Sequence, residues 1–166
     1  MLKILFVCTG NICRSPIAEE TFRRAVKSRN LQREIQCDSA ATHGYHIGEL
    51  PDPRTRKNAK EHEIELTHKC RKLNGEDFSV FDYVVAMDNY NLENIQAISS
   101  RSTGIHQVEE RCFLYRRFDN QISQNETIPE VPDPYYGQTV DFEEVYQIVN
   151  RCAEGFLDFL VEKSGF

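Results

Sequence analysis

The opening segment constrains the fold most. Leu2 to Val7 is a short run, apolar but for Lys3, that stops at Cys8-Thr9-Gly10-Asn11, and a helix start follows at Ser15-Pro16. A brief apolar run closed by turn residues suits a strand buried on both faces, the kind found in parallel sheets covered by helices. A strand passing directly into a helix is the first half of a right-handed crossover. Ser15 is expected to be the N-cap with Pro16 at N1, and Glu19 and Glu20 are expected in the first turn, where the helix dipole favours acids. The helix should fade between Ser28 and Asn30.

Further along, strand and helix patterns alternate. Ile35 to Ala40 reads as a strand, Arg54 to His62 as a short helix, Tyr83 to Met87 as a strand entering a helix at Leu92 to Ile98, and Arg111 to Tyr115 as a fourth strand. Phe142, Val145, Val149, Cys152, Phe156 and Phe159 recur every three or four residues, as on one face of a long amphipathic helix. The alternation predicts one α/β domain over residues 1–166, with a doubly wound four-stranded parallel sheet and helices on both faces. Ligand sites in such sheets lie beyond the carboxyl ends of the strands, and Cys8 stands at one. The polar stretch Asp119 to Glu130 is expected to be a surface loop.

Composition narrows the partners. With 20 Lys and Arg against 26 Asp and Glu, the net charge of −6 lacks the basic footprint of a nucleic-acid binder. No run approaches the roughly 20 apolar residues of a membrane span. The first residues lack the apolar core and cleavage site of a secretory signal, so a cytoplasmic protein is expected. A reducing compartment turns the six cysteines, at 8, 13, 37, 70, 112 and 152, into catalytic, redox or buried thiols rather than structural disulfides.

The chemistry concentrates in Cys8-Thr9-Gly10-Asn11-Ile12-Cys13-Arg14-Ser15. Gly10 and Asn11 are residue types that tolerate left-handed backbone, which would let the loop turn its N–H groups inward as an anion-binding nest. The following helix N-terminus adds partial positive charge, and Arg14 adds a planar fork that can hold two phosphate oxygens. The same field favours the thiolate of Cys8. In-line attack by its sulfur on a bound phosphoryl group would give a phosphocysteine, with loop amides and Arg14 gripping the equatorial oxygens. The scheme needs neither metal nor cofactor. The departing oxygen needs a proton, and Asp133, in Val131-Pro132-Asp133-Pro134-Tyr135-Tyr136-Gly137, is the candidate acid and later base, with Tyr135 and Tyr136 as aromatic walls. Spacing alone leaves Asp133 evenly divided between that role and a turn-forming Asp before Pro.

Val7 to Pro16 together with Asp133-Pro134-Tyr135-Tyr136-Gly137 resembles the low-molecular-weight protein tyrosine phosphatase family. Asp38-Ser39-Ala40-Ala41, Pro51-Asp52-Pro53-Arg54, Glu76-Asp77-Phe78, Phe81-Asp82-Tyr83 and Met87-Asp88 match its pattern in order. The resemblance implies hydrolysis of phosphotyrosine and aryl phosphates, an acid phosphatase activity, with Cys8 as nucleophile, Arg14 as phosphoryl ligand and Asp133 as acid then base. It implies phosphate contacts from Thr9, Gly10, Asn11, Ile12, Cys13 and Ser15. It further implies a supporting network of Asn11, Ser15, Ser39 and His68. Phosphotyrosine proteins are the expected substrates, inorganic phosphate or sulfate the expected small anions, and a monomer the expected state. Tyr45 stands where many members carry Trp, followed by His46, so the wall opposite Tyr135 is expected to suit different peptides. Tyr136 could equally be packing.

Other readings are weaker. Cys8 and Cys13 bracket four residues, but no second close pair completes a zinc site. A bridge between these two thiols as a reversible redox trap fits their spacing. The cysteine pair that an arsenate reductase on this scaffold would need does not follow Cys70, and Ile12 stands where a related arginine phosphatase has Thr. A pure phosphotyrosine-binding module would have no use for Cys8 or Asp133. The remaining four cysteines read as buried apolar residues.

Overall fold

The computed structural model describes residues 1–103, 110–123 and 125–166. Four parallel strands, β1 (Leu2–Cys8), β2 (Ile35–Ala41), β3 (Tyr83–Ala86) and β4 (Cys112–Leu114), form one sheet in the order β2-β1-β3-β4. The helices are α1 (Ser15–Ser28), α2 (Pro53–Glu61), α3 (Asp77–Val80), α4 (Asn89–Thr103) and α5 (Thr139–Ser164), with a 3₁₀ turn at Tyr115–Phe118. The expected α/β architecture forms. Leu5 of β1 lies opposite Asp38 of β2 and Val84 of β3, so β1 is paired on both edges.

Alternation along β1 explains why its sequence is apolar throughout. Ile4, Phe6 and Cys8 enter one core with Ile17 and Phe22 of α1 and Val149, Phe156 and Leu160 of α5. Leu5 and Val7 point the other way, into a second core with Phe78 of α3 and Ile95 of α4. Because β2 and β3 flank β1 on opposite sides, the chain reverses its lateral direction there. The crevice beyond the carboxyl end of β1 is therefore a topological switch point.

Helix ends differ from expectation for identifiable reasons. Arg14, not Ser15, is the N-cap of α1, and no side chain caps it. Glu19 and Glu20 lie beyond the first turn. α2 starts at Pro53 because the Asp52 side chain accepts from the Arg54 N–H at 2.8 Å. α4 begins earlier than Leu92, with Asp88 Oδ1 accepting from the Asn91 N–H at 2.7 Å. α3 and the 3₁₀ turn are too short to carry a readable period. Among the described residues no helix is long and apolar enough to cross a membrane.

The polar stretch from Asp119 to Glu130 is not wholly a surface loop, and its Gln124 lies outside the described residues. The Asp119 side chain is fully buried and accepts from Arg151 Nε at 2.8 Å, Arg151 Nη2 at 2.9 Å and Arg116 Nε at 3.2 Å. These bonds tie α5 to the 3₁₀ turn. Gly155 permits the approach, since a Cβ there would lie 2.2 Å from the Phe118 carbonyl oxygen. Phe118 and Phe156 then stack at 4.7 Å.

Burial opposes the Asp119 charge, but Arg151, the Gln121 N–H and Arg116 outweigh it and hold the carboxyl below the ordinary carboxylate range. The unfolded chain therefore binds this proton at higher pH than the folded one. The resulting stabilisation is complete above the unfolded-state pKa of about 3.9 and is lost as pH falls through the lower folded value. Asp119→Ala should lower unfolding free energy by about 3 kcal/mol in urea titrations at pH 7. Asp119→Asn should flatten the acid limb of stability against pH, and an unchanged limb would exclude the carboxylate as its source.

Candidate active site

Cys8 ends β1, and the six residues that follow close a loop before Ser15 opens α1. The loop is fixed from outside through its carbonyls. Those of Cys8, Thr9, Gly10 and Ile12 accept from the Thr42 N–H (2.9 Å), the His43 N–H (3.0 Å), Cys70 Sγ (3.1 Å) and the Asp52 N–H (2.9 Å). Inside, the Asn11 N–H donates to Cys8 Sγ at 3.3 Å and the Ser15 N–H at 3.5 Å, while Ser15 Oγ lies 3.0 Å from the same sulfur. This explains the missing cap: the Ser15 hydroxyl is turned to the sulfur and to Asn11. Cys8 is only 2 % exposed.

Asn11 holds the turn. Its φ of 56° is left-handed, and its side chain donates to Ser15 Oγ (2.8 Å) and Ser39 Oγ (2.9 Å) while its carbonyl lies 2.8 Å from His68 Nε2. Gly10, by contrast, is not left-handed. Its lack of a side chain leaves room for the His46 ring, whose Cδ2 would lie 3.3 Å from a Cβ. Behind the loop, Ser39 Oγ donates to Glu19 Oε2 at 2.6 Å, and His68 Nδ1 is 3.4 Å from Asp38 and 3.6 Å from Glu19.

Arg14 is buried, and its Nη1 donates to Asp88 Oδ2 at 2.6 Å and to the Val131 carbonyl at 3.2 Å. Burial works against its charge, but Cys8, Asp88 and Asp133 together prevail and raise its pKa further. Its Nη2 lies 3.6 Å from Asp133 Oδ2. The other Asp133 oxygen accepts from the Tyr135 N–H at 3.1 Å, and the Gly137 N–H closes a turn onto the Pro134 carbonyl at 2.8 Å. Asp133 therefore serves as a turn former while its carboxyl, half exposed, faces the guanidinium.

Cys8, Thr9, Gly10, Ile12, Cys13, Arg14, Asp133, Tyr135, Tyr136, Tyr45 and His46 line one cavity of about 310 Å³. Cys8, Arg14, Asp133, the three aromatic walls and Thr9, Gly10, Ile12 and Cys13 of the loop thus share one pocket, while Asn11, Ser15, Ser39 and His68 do not line it. Tyr136 is 96 % exposed and meets Tyr135 edge-on at 4.9 Å, so the packing alternative does not hold. Tyr45 stacks on His43, which stacks on Tyr90. Sequence reasoning missed Glu19, Asp52, Cys70, His46 as a lining residue, and Asn91, whose Nδ2 donates to Thr9 Oγ1 at 3.0 Å. It gave Asp88 no role either, although a carboxylate just beyond the end of β3 is a readable signal in this fold. Among the described residues Glu19, Asp38 and His68 form the one group able to offer three metal donors. Their facing atoms are His68 Nδ1, Asp38 Oδ1 and Glu19 Oε2, the last of which also accepts from Ser39 Oγ, while their other polar atoms meet Asn11, Arg71 and Arg23.

A family model described as low molecular weight phosphotyrosine protein phosphatase matches residues 3–165. The low molecular weight phosphotyrosine protein phosphatase of Homo sapiens is 43% identical over 155 residues, covering 93% of each chain. The Dictyostelium discoideum protein of the same name is 37% identical, covering 93% of this chain and 91% of its own. The crystal structure of a protein tyrosine phosphatase from Entamoeba histolytica with Hepes in its active site superimposes over 100% of both chains, with a TM-score of 0.88 and 35% identity.

The other thiols are held protonated. Burial, then Asp52 and Cys8, pushes Cys13 up to about 12. Burial and Cys8 push Cys70 up to about 11, and burial foremost takes Cys37 and Cys112 to about 12. Iodoacetate at pH 7 should therefore modify Cys8 first, and inorganic phosphate should protect it. Peptide mapping that finds another cysteine labelled first would contradict this ordering.

Proposed function

Because the chain belongs to the low molecular weight phosphotyrosine protein phosphatase family, we propose that it hydrolyses phosphotyrosine in proteins, and small aryl phosphates, through a phosphocysteine on Cys8. One observation carries the reading. The Cys8 sulfur sits at the base of a loop whose Asn11 and Ser15 N–H groups point at it, with Arg14 and Asp133 facing each other at the mouth.

In the first step Cys8 sulfur attacks phosphorus in line, the S–P bond forms and the P–O bond to the aryl group breaks. Donors around the sulfur stabilise its negative charge before attack. The amides from Thr9 to Cys13 and the Arg14 fork hold the three equatorial oxygens, where transition-state charge accumulates. Asp133 gives its proton to the departing phenolate oxygen. The Ser15 hydroxyl, the nearest side-chain donor to the sulfur, then steadies the cysteine as leaving group. In the second step Asp133, now ionised, takes a proton from water. That water attacks phosphorus, the S–P bond breaks and inorganic phosphate leaves. Ser39 and His68 act through Asn11 by keeping the loop closed. Tyr45, Tyr135 and Tyr136 flank the substrate ring.

The loop and Arg14 supply the charge complement, so the proposed steps use no metal or cofactor. Phosphoproteins are the macromolecular partners of this reading, free phosphate or sulfate the small ones. A monomeric chain in the reducing cytoplasm, where the six thiols stay free, completes it.

p-Nitrophenyl phosphate turnover should persist in EDTA and vanish in Cys8→Ser, with a phosphorylated Cys8 trapped in quenched wild-type reactions. Equal rates for the two proteins would defeat the mechanism. Asp133→Asn should slow tyrosine phosphate by about 10²-fold or more while slowing substrates with good leaving groups far less, since protonation matters most for poor ones. A uniform loss would remove Asp133 as the acid.

A further inference from the structure

The exposed face of α2 is strongly basic in a chain of net charge −6. Thr55, Asn58 and Ala59 are the buried face of this helix, and Arg54, Arg56, Lys57 and Lys60 are all exposed. Helical spacing sets Lys57 one turn beyond Arg54, and Lys60 one turn beyond Lys57 and Arg56. Arg54 is neutralised by Asp52, which it meets through Nε at 3.0 Å and Nη2 at 2.9 Å. Arg56 gives only its Nε, to the Pro51 carbonyl. Among the described residues neither Lys57 nor Lys60 has an ion-pair partner. Nearby carboxylates are Glu61, the last residue of the helix and one turn beyond Lys57, Glu63 and Glu65, which line one surface cavity with Arg56 and Lys60, and Glu143, which is bonded to His62 and Asn58.

The position of this face gives it meaning. The Asp52 N–H, at the cap of α2, is bonded to the Ile12 carbonyl of the anion loop. The Arg54 guanidinium lies 5.5 Å from the ring centroid of Tyr135, a wall of the pocket, and 4.7 Å from that of Phe142. The basic face thus starts at the pocket wall and leads away from it. From Arg54 to Lys60 the helix rises about 9 Å, a span that about three extended residues cover.

Resting on the phosphatase reading, we propose that the exposed face of α2 is a docking strip for acidic residues of the phosphoprotein substrate, a few positions from its phosphotyrosine. Arg54, neutralised by Asp52 and lying beside Tyr135, forms the end of the strip at the pocket wall. Arg56, Lys57 and Lys60, which make no direct ion pair among the described residues, supply three positive charges for Asp or Glu side chains. Charge complementarity selects this occupant: an apolar or basic flank gains nothing there, and a basic one is repelled.

The test compares kcat/KM for phosphotyrosine peptides carrying three Asp or three Lys, placed three to five residues from the phosphotyrosine on either side, with p-nitrophenyl phosphate as reference. Wild type should prefer an acidic peptide by about tenfold at low salt, the scale of a few exposed ion pairs, and the preference should shrink in 0.5 M NaCl. The double variant Lys57→Glu/Lys60→Glu should keep the wild-type rate on p-nitrophenyl phosphate and reverse the preference toward the lysine peptide. Equal wild-type rates on all peptides, or a double variant that still prefers acid, would overturn the docking strip while leaving the phosphatase reading intact. A wild type that turns over neither p-nitrophenyl phosphate nor any peptide would overturn both.

Discussion

The site depends on the full satisfaction of one buried amide. A primary amide has two N–H donors and a carbonyl able to accept two bonds, and Asn11 uses all four: Ser15 and Ser39 accept, while His68 Nε2 and the Arg71 N–H meet its oxygen at 2.8 and 3.2 Å. These partners come from α1, β2 and the segment before α3, so a single side chain ties the loop to three parts of the framework. The tie also holds a left-handed residue, a conformation costly for any residue but glycine and tolerated by Asn. With the turn locked, the Asn11 backbone N–H is aimed at the Cys8 sulfur without reorganisation.

Electrostatics follow from that locking. The buried Arg14 guanidinium would be unfavourable alone, and Asp88 offsets the cost through a 2.6 Å bond. One nitrogen thus stays tied to Asp88 and the Val131 carbonyl, and the other faces the pocket beside Asp133. The carboxylates divide the work by exposure. Asp88, mostly enclosed, holds the guanidinium in place, while Asp133 stands half open to solvent at the pocket.

How much of this could be read from the sequence depended on whether partners were close along the chain. The β1–loop–α1 unit is contiguous, so its strand, turn and helix were visible in one stretch, as was the acid-bearing Asp-Pro-Tyr-Tyr-Gly turn. Side-chain assignments inside that unit were less secure. Ser15 looks like a cap because isolated helices use Ser that way, but the nearby sulfur and Asn11 claim its hydroxyl. Gly10 looks like a left-handed hinge, whereas its role is to make space for a ring from another segment. Asp88 and Asp119 bond arginines 74 and 32 residues away, contacts that no local pattern encodes. Local chemistry alone left Asp133 undecided between turn and acid; the folded chain makes it a turn former and sets its carboxyl 3.6 Å from Arg14.

The first turn of α4 reaches the pocket in three ways. Asp88 caps it and grips Arg14, Asn91 bonds Thr9, and Tyr90 stacks on the His43 that supports Tyr45. Three positions within one turn, Asp88, Tyr90 and Asn91, therefore govern charge placement, loop pose and the contour of the entrance together. A single substitution in this short stretch thus perturbs the guanidinium, the loop and the entrance at once, without touching the sheet beneath.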